Sequence, residues 1–132
     1  LLAAFNVLLA KYTRQQDIGV GVPIAGRRAT ATQEIIGTFV NTIVHRNDLT
    51  GDPSFSDLLQ RVRSTALDAF SHQDAPIEVL VRELRVPRDT SRQPLFQVLF
   101  NLANVRMGNA RWEGVVATSL PLNRGVAQFD LT

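Results

Sequence analysis

Residues 18–24 limit most strongly the folds that this chain can adopt. Aliphatic residues alternate there with Gly19, Gly21 and Pro23, which is the two-residue period of a β-strand. One face of the predicted strand is hydrophobic, and the other face carries almost no side-chain atoms. Another segment of backbone or a ligand is therefore expected to approach the bare face closely.

Two further segments predict structure on either side of this strand. Residues 1–14 predict a helix that is hydrophobic on nearly all sides and is therefore buried between layers. Residues 35–49 predict one long strand with two distinct faces. The first face carries Phe39, Asn41, Ile43 and His45, and the second carries Val40, Thr42, Val44 and Arg46.

A pair of helices is predicted after the turn at residues 50–53. Ser54 and Asp57 have the spacing of a capping box, although Asp replaces the usual Glu or Gln. The helix that follows has one hydrophobic stripe, formed by Phe55, Leu58, Leu59, Val62, Ala66, Ala69 and Phe70. Pro76 suits the first turn of the second helix, which has one hydrophobic face.

The remaining sequence predicts three strands, at residues 95–102, 115–122 and 126–132. The element order is therefore α-β-β-α-α-β-β-β. Helices and strands do not alternate strictly, so the expected fold class is mixed α/β (α+β), with one mixed β-sheet and helices packed on it. The 132 residues are enough for one domain or part of one. Because the chain begins and ends inside predicted elements, we expect it to be part of a larger protein.

Composition argues against several classes of function. The chain has no cysteine, which excludes disulfides and zinc–thiolate sites. Its 14 basic residues are scattered among 12 acidic ones, and the longest basic run is the pair Arg27 and Arg28, so nucleic-acid binding is not expected. No hydrophobic run approaches the roughly 18 residues that span a bilayer, so we expect a cytoplasmic protein without membrane contact.

Candidate polar sites each have two interpretations. His72 and Asp74 either form a pair or cap the junction between the two helices. Asn41 lies in a hydrophobic strand, so its amide is either satisfied by neighbouring backbone or directed into a cavity that holds an amide or amine substrate. The polar loop at residues 88–92 is either closed by its own salt bridges or sends one arginine across to a carboxylate elsewhere. Neither histidine has a second ligand at metal-binding spacing.

Three segments resemble motifs of the condensation-domain family of nonribosomal peptide synthetases. Residues 37–42 with Arg46 are similar to "GxFVNT…R". Residues 72–78 are similar to "HQDxPFE", with Ile77 where Phe is usual, and residues 88–95 are similar to "RDxSRNPL", with Gln93 where Asn is usual. Their order and spacing also match, and the resemblance spans essentially the whole chain.

This resemblance implies that residues 1–132 form the C-terminal lobe of a condensation domain, a lobe of the CoA-dependent acyltransferase type. The family's catalytic "HHxxxDG" motif lies in the N-terminal lobe, and this chain has no adjacent pair of histidines. The chain alone is therefore expected to be inactive and to hold no catalytic residue. The resemblance implies a place in the substrate channel or lobe junction for Asn41, Arg46, His72, Gln73, Asp74, Arg88, Asp89, Ser91 and Arg92.

The implied reaction is peptide-bond formation between a carrier-bound aminoacyl or peptidyl thioester donor and an aminoacyl acceptor. No cofactor is expected to bind directly, because the 4'-phosphopantetheine arms of peptidyl carrier proteins tether both substrates. The other implied partners are the N-terminal lobe and an adenylation domain of the same synthetase. Alternatives are an epimerisation or heterocyclisation relative, or a noncatalytic module that docks carrier proteins.

Overall fold

The computed structural model describes residues 1–87, 89, 91–102, 114–115, 125 and 127–132. Within these ranges the chain forms four helices and three strands. In chain order they are α1 (Leu2–Thr13), β1 (Asp17–Ile24), α2 (Thr30–Gln33), β2 (Asn41–Asp48), α3 (Phe55–Ser71), α4 (Ile77–Glu83) and β3 (Val98–Leu99). The order α-β-β-α-α-β that was predicted up to residue 102 is confirmed, with α2 as an additional single turn between β1 and β2 and with the strand predicted at residues 95–102 reduced to Val98–Leu99.

The strands form one sheet in the order β2-β1-β3. Strands β1 and β2 pair antiparallel along their whole length, from Asp17 opposite Asp48 to Ile24 opposite Asn41. Strands β1 and β3 pair in parallel, and a parallel bridge joins Val98 to Leu131 near the end of the chain. The predicted mixed sheet is therefore confirmed, whereas the strand predicted at residues 115–122 lies almost entirely outside the described residues.

The bare face of β1 is covered by the chain itself. A Cβ atom added to Gly21 would stand 2.3 Å from the Phe96 ring, and one added to Gly19 would stand 3.2 Å from the Leu95 carbonyl oxygen. The glycines are needed because the Phe96 ring and the backbone of Leu95 lie directly on this face. The predicted approach of backbone is confirmed at Gly19, whereas a side chain, the Phe96 ring, covers Gly21.

The prediction of one long strand at residues 35–49 is wrong in its first half, since β2 begins only at Asn41. The carbonyl groups of Ile35 and Gly37 accept hydrogen bonds from Arg27, at 2.8 Å each, and not from a neighbouring strand. Ile36 is fully exposed between them. Arg27, which precedes the predicted strand, thus donates to carbonyl groups that would otherwise pair with a neighbouring strand.

Helix α3 packs on β2 and against α1 through only part of its hydrophobic stripe. Leu58 and Val62 belong to the core, with 2% and 5% of their surface exposed. Phe55, Leu59 and Phe70 remain 56%, 48% and 42% exposed, so only part of the predicted stripe is buried. The stripe is wider than the surface that β2 and α1 offer it. The predicted cap is confirmed, because the Asp57 N–H donates to Ser54 Oγ at 3.2 Å.

Helix α1 is buried along one side only. Ala3, Asn6 and Leu9 are buried, whereas Leu8 and Tyr12 are exposed. The prediction that this helix is buried on nearly all sides is therefore wrong within the described residues. Within those residues it contacts β1 and α3, and its Phe5 ring lies against the Phe100 ring with the centroids 5.3 Å apart.

Three polar side chains are buried in the same layer as the hydrophobic core. Asn6, His45 and Asn47 are each at most 1% exposed, and within the described part of the chain their side-chain nitrogen and oxygen atoms have no hydrogen-bond partner. His45 points inward from β2 and meets the Phe70 ring edge-on, with the ring centroids 5.6 Å apart. Burial lowers the pKa of His45, because a charged imidazolium would lose its hydration there.

His45 is expected to make the protein less stable as the pH falls through about 6.5, the ordinary histidine pKa. Below that pH the unfolded state binds a proton that the folded state does not, so the free energy of unfolding decreases by up to about 1.4 kcal/mol per pH unit. Urea unfolding between pH 5 and pH 7.5 measures this slope. His45→Leu should flatten this slope, and an unchanged slope in that variant would contradict the assignment.

Candidate functional site

The side-chain amide of Asn41 joins the start of β2 to the turn at residues 72–76, between α3 and α4. Asn41 Nδ2 donates to the carbonyl oxygens of Gln73 and Ala75, at 2.9 Å each. Asn41 Oδ1 accepts from the backbone N–H of Ile77 at 3.4 Å. The interpretation that backbone satisfies this amide is therefore confirmed. We call this contact between the first and second motif segments the motif junction.

The local sequence explains why the turn needs such a partner. Helix α3 ends at Ser71, and His72 caps it with a backbone N–H that points back to carbonyl groups of the last turn. Pro76 has no N–H group and precedes the first residue of α4. The carbonyl groups of Gln73 and Ala75 fall between the two helices, where no helical donor reaches them. The two N–H bonds of one amide side chain satisfy both carbonyls.

The polar side chains of the second motif are exposed around the junction. Asp74 forms an ion pair with Arg28, with its Oδ2 atom 3.0 Å from Arg28 Nη1. Gln73 Nε2 donates to the Phe70 carbonyl at 2.8 Å. His72 Nδ1 lies 2.9 Å from Ser71 Oγ and 3.0 Å from the Asp68 carbonyl oxygen. His72 therefore caps α3, and the alternative pair with Asp74 is not formed.

A cavity of about 370 Å³ opens beside the motif junction, and we call it the junction cavity. Its walls include Gly26, Phe39, Asn41, Asp74 and Pro76. A larger cavity of about 680 Å³ shares Thr42, Ile77 and Glu78 with it, so the two adjoin along α4. The larger cavity is lined by hydrophobic side chains, among them Val81, Phe96 and Phe129. The basic side chains of Arg82 and Arg85 line it as well.

Arg46 does not lie with the other candidates. It makes a two-point ion pair with Asp17, with 2.8 Å between Nε and Oδ1 and 2.6 Å between Nη2 and Oδ2. The hydrogen bonds from Arg46 lower the pKa of Asp17. Arg46 is five positions from Asn41 along β2, about 17 Å, and on the opposite face of the strand. It lines a separate cavity of about 550 Å³ together with Gly19 and Leu84.

The third motif segment is described only in part. Arg88 and Thr90, and with them the role predicted for Arg88, lie outside the described residues. Asp89 Oδ1 accepts from the Ser91 N–H at 2.8 Å and from Ser91 Oγ at 2.6 Å, and these bonds lower the pKa of Asp89. The Arg92 N–H donates to the Asp89 carbonyl at 3.3 Å. In the described part of this loop, local hydrogen bonds and not salt bridges close the chain.

Sequence reasoning missed Arg27. Its guanidinium donates to the carbonyl groups of Thr32, Ile35 and Gly37 and lies 4.4 Å from the centre of the Phe39 ring. The sequence offered only a weak signal, because Arg27 and Arg28 were noted as a pair of charges and not as hydrogen-bond donors. Arg27 folds the segment that leads into Asn41, so it belongs to the structure around the junction cavity.

The described candidate residues around the motif junction are held by hydrogen bonds and ion pairs to one another and to backbone. His72 has the Ser71 hydroxyl at 2.9 Å and the Asp68 carboxylate at 3.6 Å, but it does not line the junction cavity or the larger cavity beside it. Among residues 1–87 and the shorter described ranges, no group of three or more His, Cys, Asp or Glu side chains could hold a metal ion. No helix in the same ranges is long and hydrophobic enough to cross a membrane.

The mixed sheet, with helices packed on it and the motif junction at its edge, defines a lobe of the CoA-dependent acyltransferase type. The structure is similar to that of a four-domain nonribosomal peptide synthetase bound to AMP and glycine, with a TM-score of 0.77 and 27% identity over 80% of this chain and 8% of that one. It is also similar to the X-domain from teicoplanin biosynthesis, with a TM-score of 0.70 and 30% identity over 74% of this chain and 22% of that one. The same X-domain matches in a structure of its complex with OxyB.

The family model of the condensation domain matches residues 1–132, so this chain belongs to the condensation domain family. It is 48% identical over 134 residues to one of the linear gramicidin synthase proteins of Brevibacillus parabrevis, and 46% identical over 132 residues to surfactin synthase subunit 1 of Bacillus subtilis (strain 168). Each match covers 100% of this chain. The chain spans only 3% and 4% of the length of these two relatives.

Proposed function

We propose that this chain is the C-terminal lobe of a condensation domain that forms peptide bonds in a nonribosomal peptide synthetase. The observation that carries the proposal is the motif junction, where Asn41 of the first motif segment is hydrogen-bonded to the backbone of the second. The family match over the whole chain supports the same assignment. The synthetase would act in the cytoplasm, with an adenylation domain and peptidyl carrier proteins as partners.

In the proposed reaction the free amine of the acceptor attacks the thioester carbonyl of the donor. A C–N bond forms, the C–S bond breaks, and the thiol of the donor's phosphopantetheine arm leaves with the proton that the amine gives up. Both substrates remain tethered to carrier proteins through such arms. A histidine of the N-terminal lobe, outside this chain, would move or position the proton. The role proposed for this lobe is to form one wall of the substrate channel.

The direct test uses the full synthetase polypeptide that contains this chain, incubated with a donor-loaded and an acceptor-loaded carrier protein. Mass spectrometry of the carriers should detect condensed product on the acceptor carrier. The 132-residue chain alone should give none, because it lacks the paired histidines. Product from the 132-residue chain alone would contradict the assignment of the catalytic histidine to the N-terminal lobe. Absence of product from the full polypeptide would contradict the proposed function.

A second candidate function is a noncatalytic module that recruits a partner protein. The similarity to the X-domain, which has been solved in complex with OxyB, favours this candidate. The two candidates differ in the lobe that precedes this one. A complete "HHxxxDG" motif in the natural sequence upstream favours catalysis, whereas a replaced second histidine favours recruitment. Condensed product in the carrier assay would exclude a purely recruiting role.

Asn41→Ala is expected to lower the free energy of unfolding by about 1–3 kcal/mol, because it leaves the partly buried carbonyl groups of Gln73 and Ala75 without donors. Urea unfolding of the protein measures the change, and the exposed Asn101→Ala is the matched control. The role of Asn41 in the substrate channel stays a prediction. A variant that is as stable as wild type and condenses slowly would support that role and contradict the bracing role argued from the junction.

A further inference from the structure

The Arg27 side chain hydrogen-bonds to three backbone carbonyl groups between β1 and β2. Its Nη1 atom donates to the carbonyl groups of Thr32 and Ile35, and its Nη2 atom donates to the Gly37 carbonyl at 2.8 Å. The guanidinium plane also lies over the Phe39 ring, 4.4 Å from its centre. Only arginine presents enough donors, in a rigid planar group, to hold three separate carbonyls while stacking on an aromatic ring.

The loop at residues 25–40 has little else to hold it. Its one regular element, α2, is a single turn of four residues, which is too short to be stable by itself. Connections of this length within a compact domain are uncommon unless they have a function. The loop folds back so tightly that an added Cβ atom at Gly26 would stand 1.9 Å from the Phe39 carbonyl oxygen. Arg27 therefore provides the main polar contacts described within the loop.

The same loop reaches the motif junction at two points. Phe39, under the Arg27 guanidinium, is two residues before Asn41, and Gly26 and Phe39 both line the junction cavity. Arg28, the next residue, forms the ion pair with Asp74 of the second motif. Glu78 also lines the cavity, and its carboxylate can accept a hydrogen bond from an amine.

We propose that Arg27 is a positioning residue, which holds the loop at residues 25–40 as a wall of the junction cavity and so supports binding of the amine-bearing acceptor. This inference rests on the proposed function for the identity of the substrate. Arg27 touches no reacting group, so it acts through Phe39, Gly26 and the Asn41 contact. Losing it should weaken acceptor binding and leave the chemical step nearly unchanged.

The first experiment is hydrogen exchange with mass spectrometry on the full synthetase polypeptide. We compare wild type with Arg27→Gln, Arg27→Lys and the matched control Arg63→Gln, which removes an exposed arginine from α3. The Thr32 amide, which donates to the Ala29 carbonyl at 2.9 Å, should exchange at least tenfold faster in Arg27→Gln and less than that in Arg27→Lys. Peptides from α1 and the control variant should be unchanged. Unaltered exchange of the Thr32 amide in Arg27→Gln would overturn the proposal, whatever the outcome of any assay.

The second experiment measures the condensation rate against the concentration of acceptor-loaded carrier. In Arg27→Gln the half-saturating concentration should rise at least fivefold with the maximal rate within a factor of two, and Arg27→Lys should recover part of the loss. A lower maximal rate at unchanged half-saturation would overturn the role in acceptor binding. If wild type itself makes no product, the proposed function fails, and the exchange experiment alone decides whether Arg27 orders the loop.

Discussion

Gly26→Ala is expected to lower the free energy of unfolding by about 2–5 kcal/mol, through two separate effects. The backbone of Gly26 has a φ of +65°, in the left-handed region, where a residue with a Cβ atom loses about 1–2 kcal/mol. The new methyl group would also stand 1.9 Å from the Phe39 carbonyl oxygen, and overpacking of this kind costs about 1–3 kcal/mol more. The loop at residues 25–40 would have to open to relieve the contact.

Gly51→Ala separates these two effects. Gly51 also has a positive φ, +82°, but nothing lies within 4 Å of an added Cβ atom. It should therefore show the backbone effect alone, about 1–2 kcal/mol. Urea unfolding of both variants gives the difference that belongs to the Phe39 contact. Equal losses in the two variants would mean that the loop does not pack against Gly26 as described.

The sequence was sufficient to predict the periodic elements. Helix α3 was predicted with its cap at Ser54, and β1 was predicted from the alternation at residues 18–24, because both patterns depend on neighbours within a few positions. The mixed sheet followed from the order of those elements. The resemblance to known motifs added Asn41 and residues 72–78 as parts of one site, which periodicity alone could not do.

The errors come from contacts that have no local signature. Residues 35–40 have strand-like composition, yet Arg27 takes their carbonyl groups from eight to ten positions away. Asn41 was recognised as unusual in a hydrophobic strand, but its partners lie 32 to 36 positions later in the chain. Arg46 was grouped with Asn41 through the motif, although the alternation of a strand puts the two on opposite faces.

Burial was the least predictable property. The stripe on α3 is hydrophobic across its whole width, and its periodicity does not reveal which half meets β2 and α1. In the structure, two neighbouring residues of the stripe differ in burial, since Leu58 is 2% exposed and Leu59 is 48% exposed. The two leucines have identical side chains and are adjacent in sequence. Comparing the stability lost when each one is truncated therefore tests which face of α3 is buried.

Leu58→Ala is accordingly expected to destabilise the protein far more than Leu59→Ala. Truncating a buried leucine removes its transfer free energy and leaves a cavity, which together cost about 2–5 kcal/mol. Leu58 belongs to the core cluster that also contains Val62, Leu9 and Val20, so the cavity would open between α3, α1 and the sheet. Leu59 keeps about half of its surface in solvent, so its truncation should cost less than about 1 kcal/mol.

Urea unfolding of the two variants, monitored by circular dichroism, measures both losses against wild type. Helix propensity cannot account for a difference, since each variant replaces leucine by alanine in the interior of the same helix. Similar large losses in both variants would mean that α3 buries its stripe on both sides, against a surface beyond the described contacts. A larger loss in Leu59→Ala would mean that the helix is rotated, and the packing of α3 on β2 described above would then be wrong.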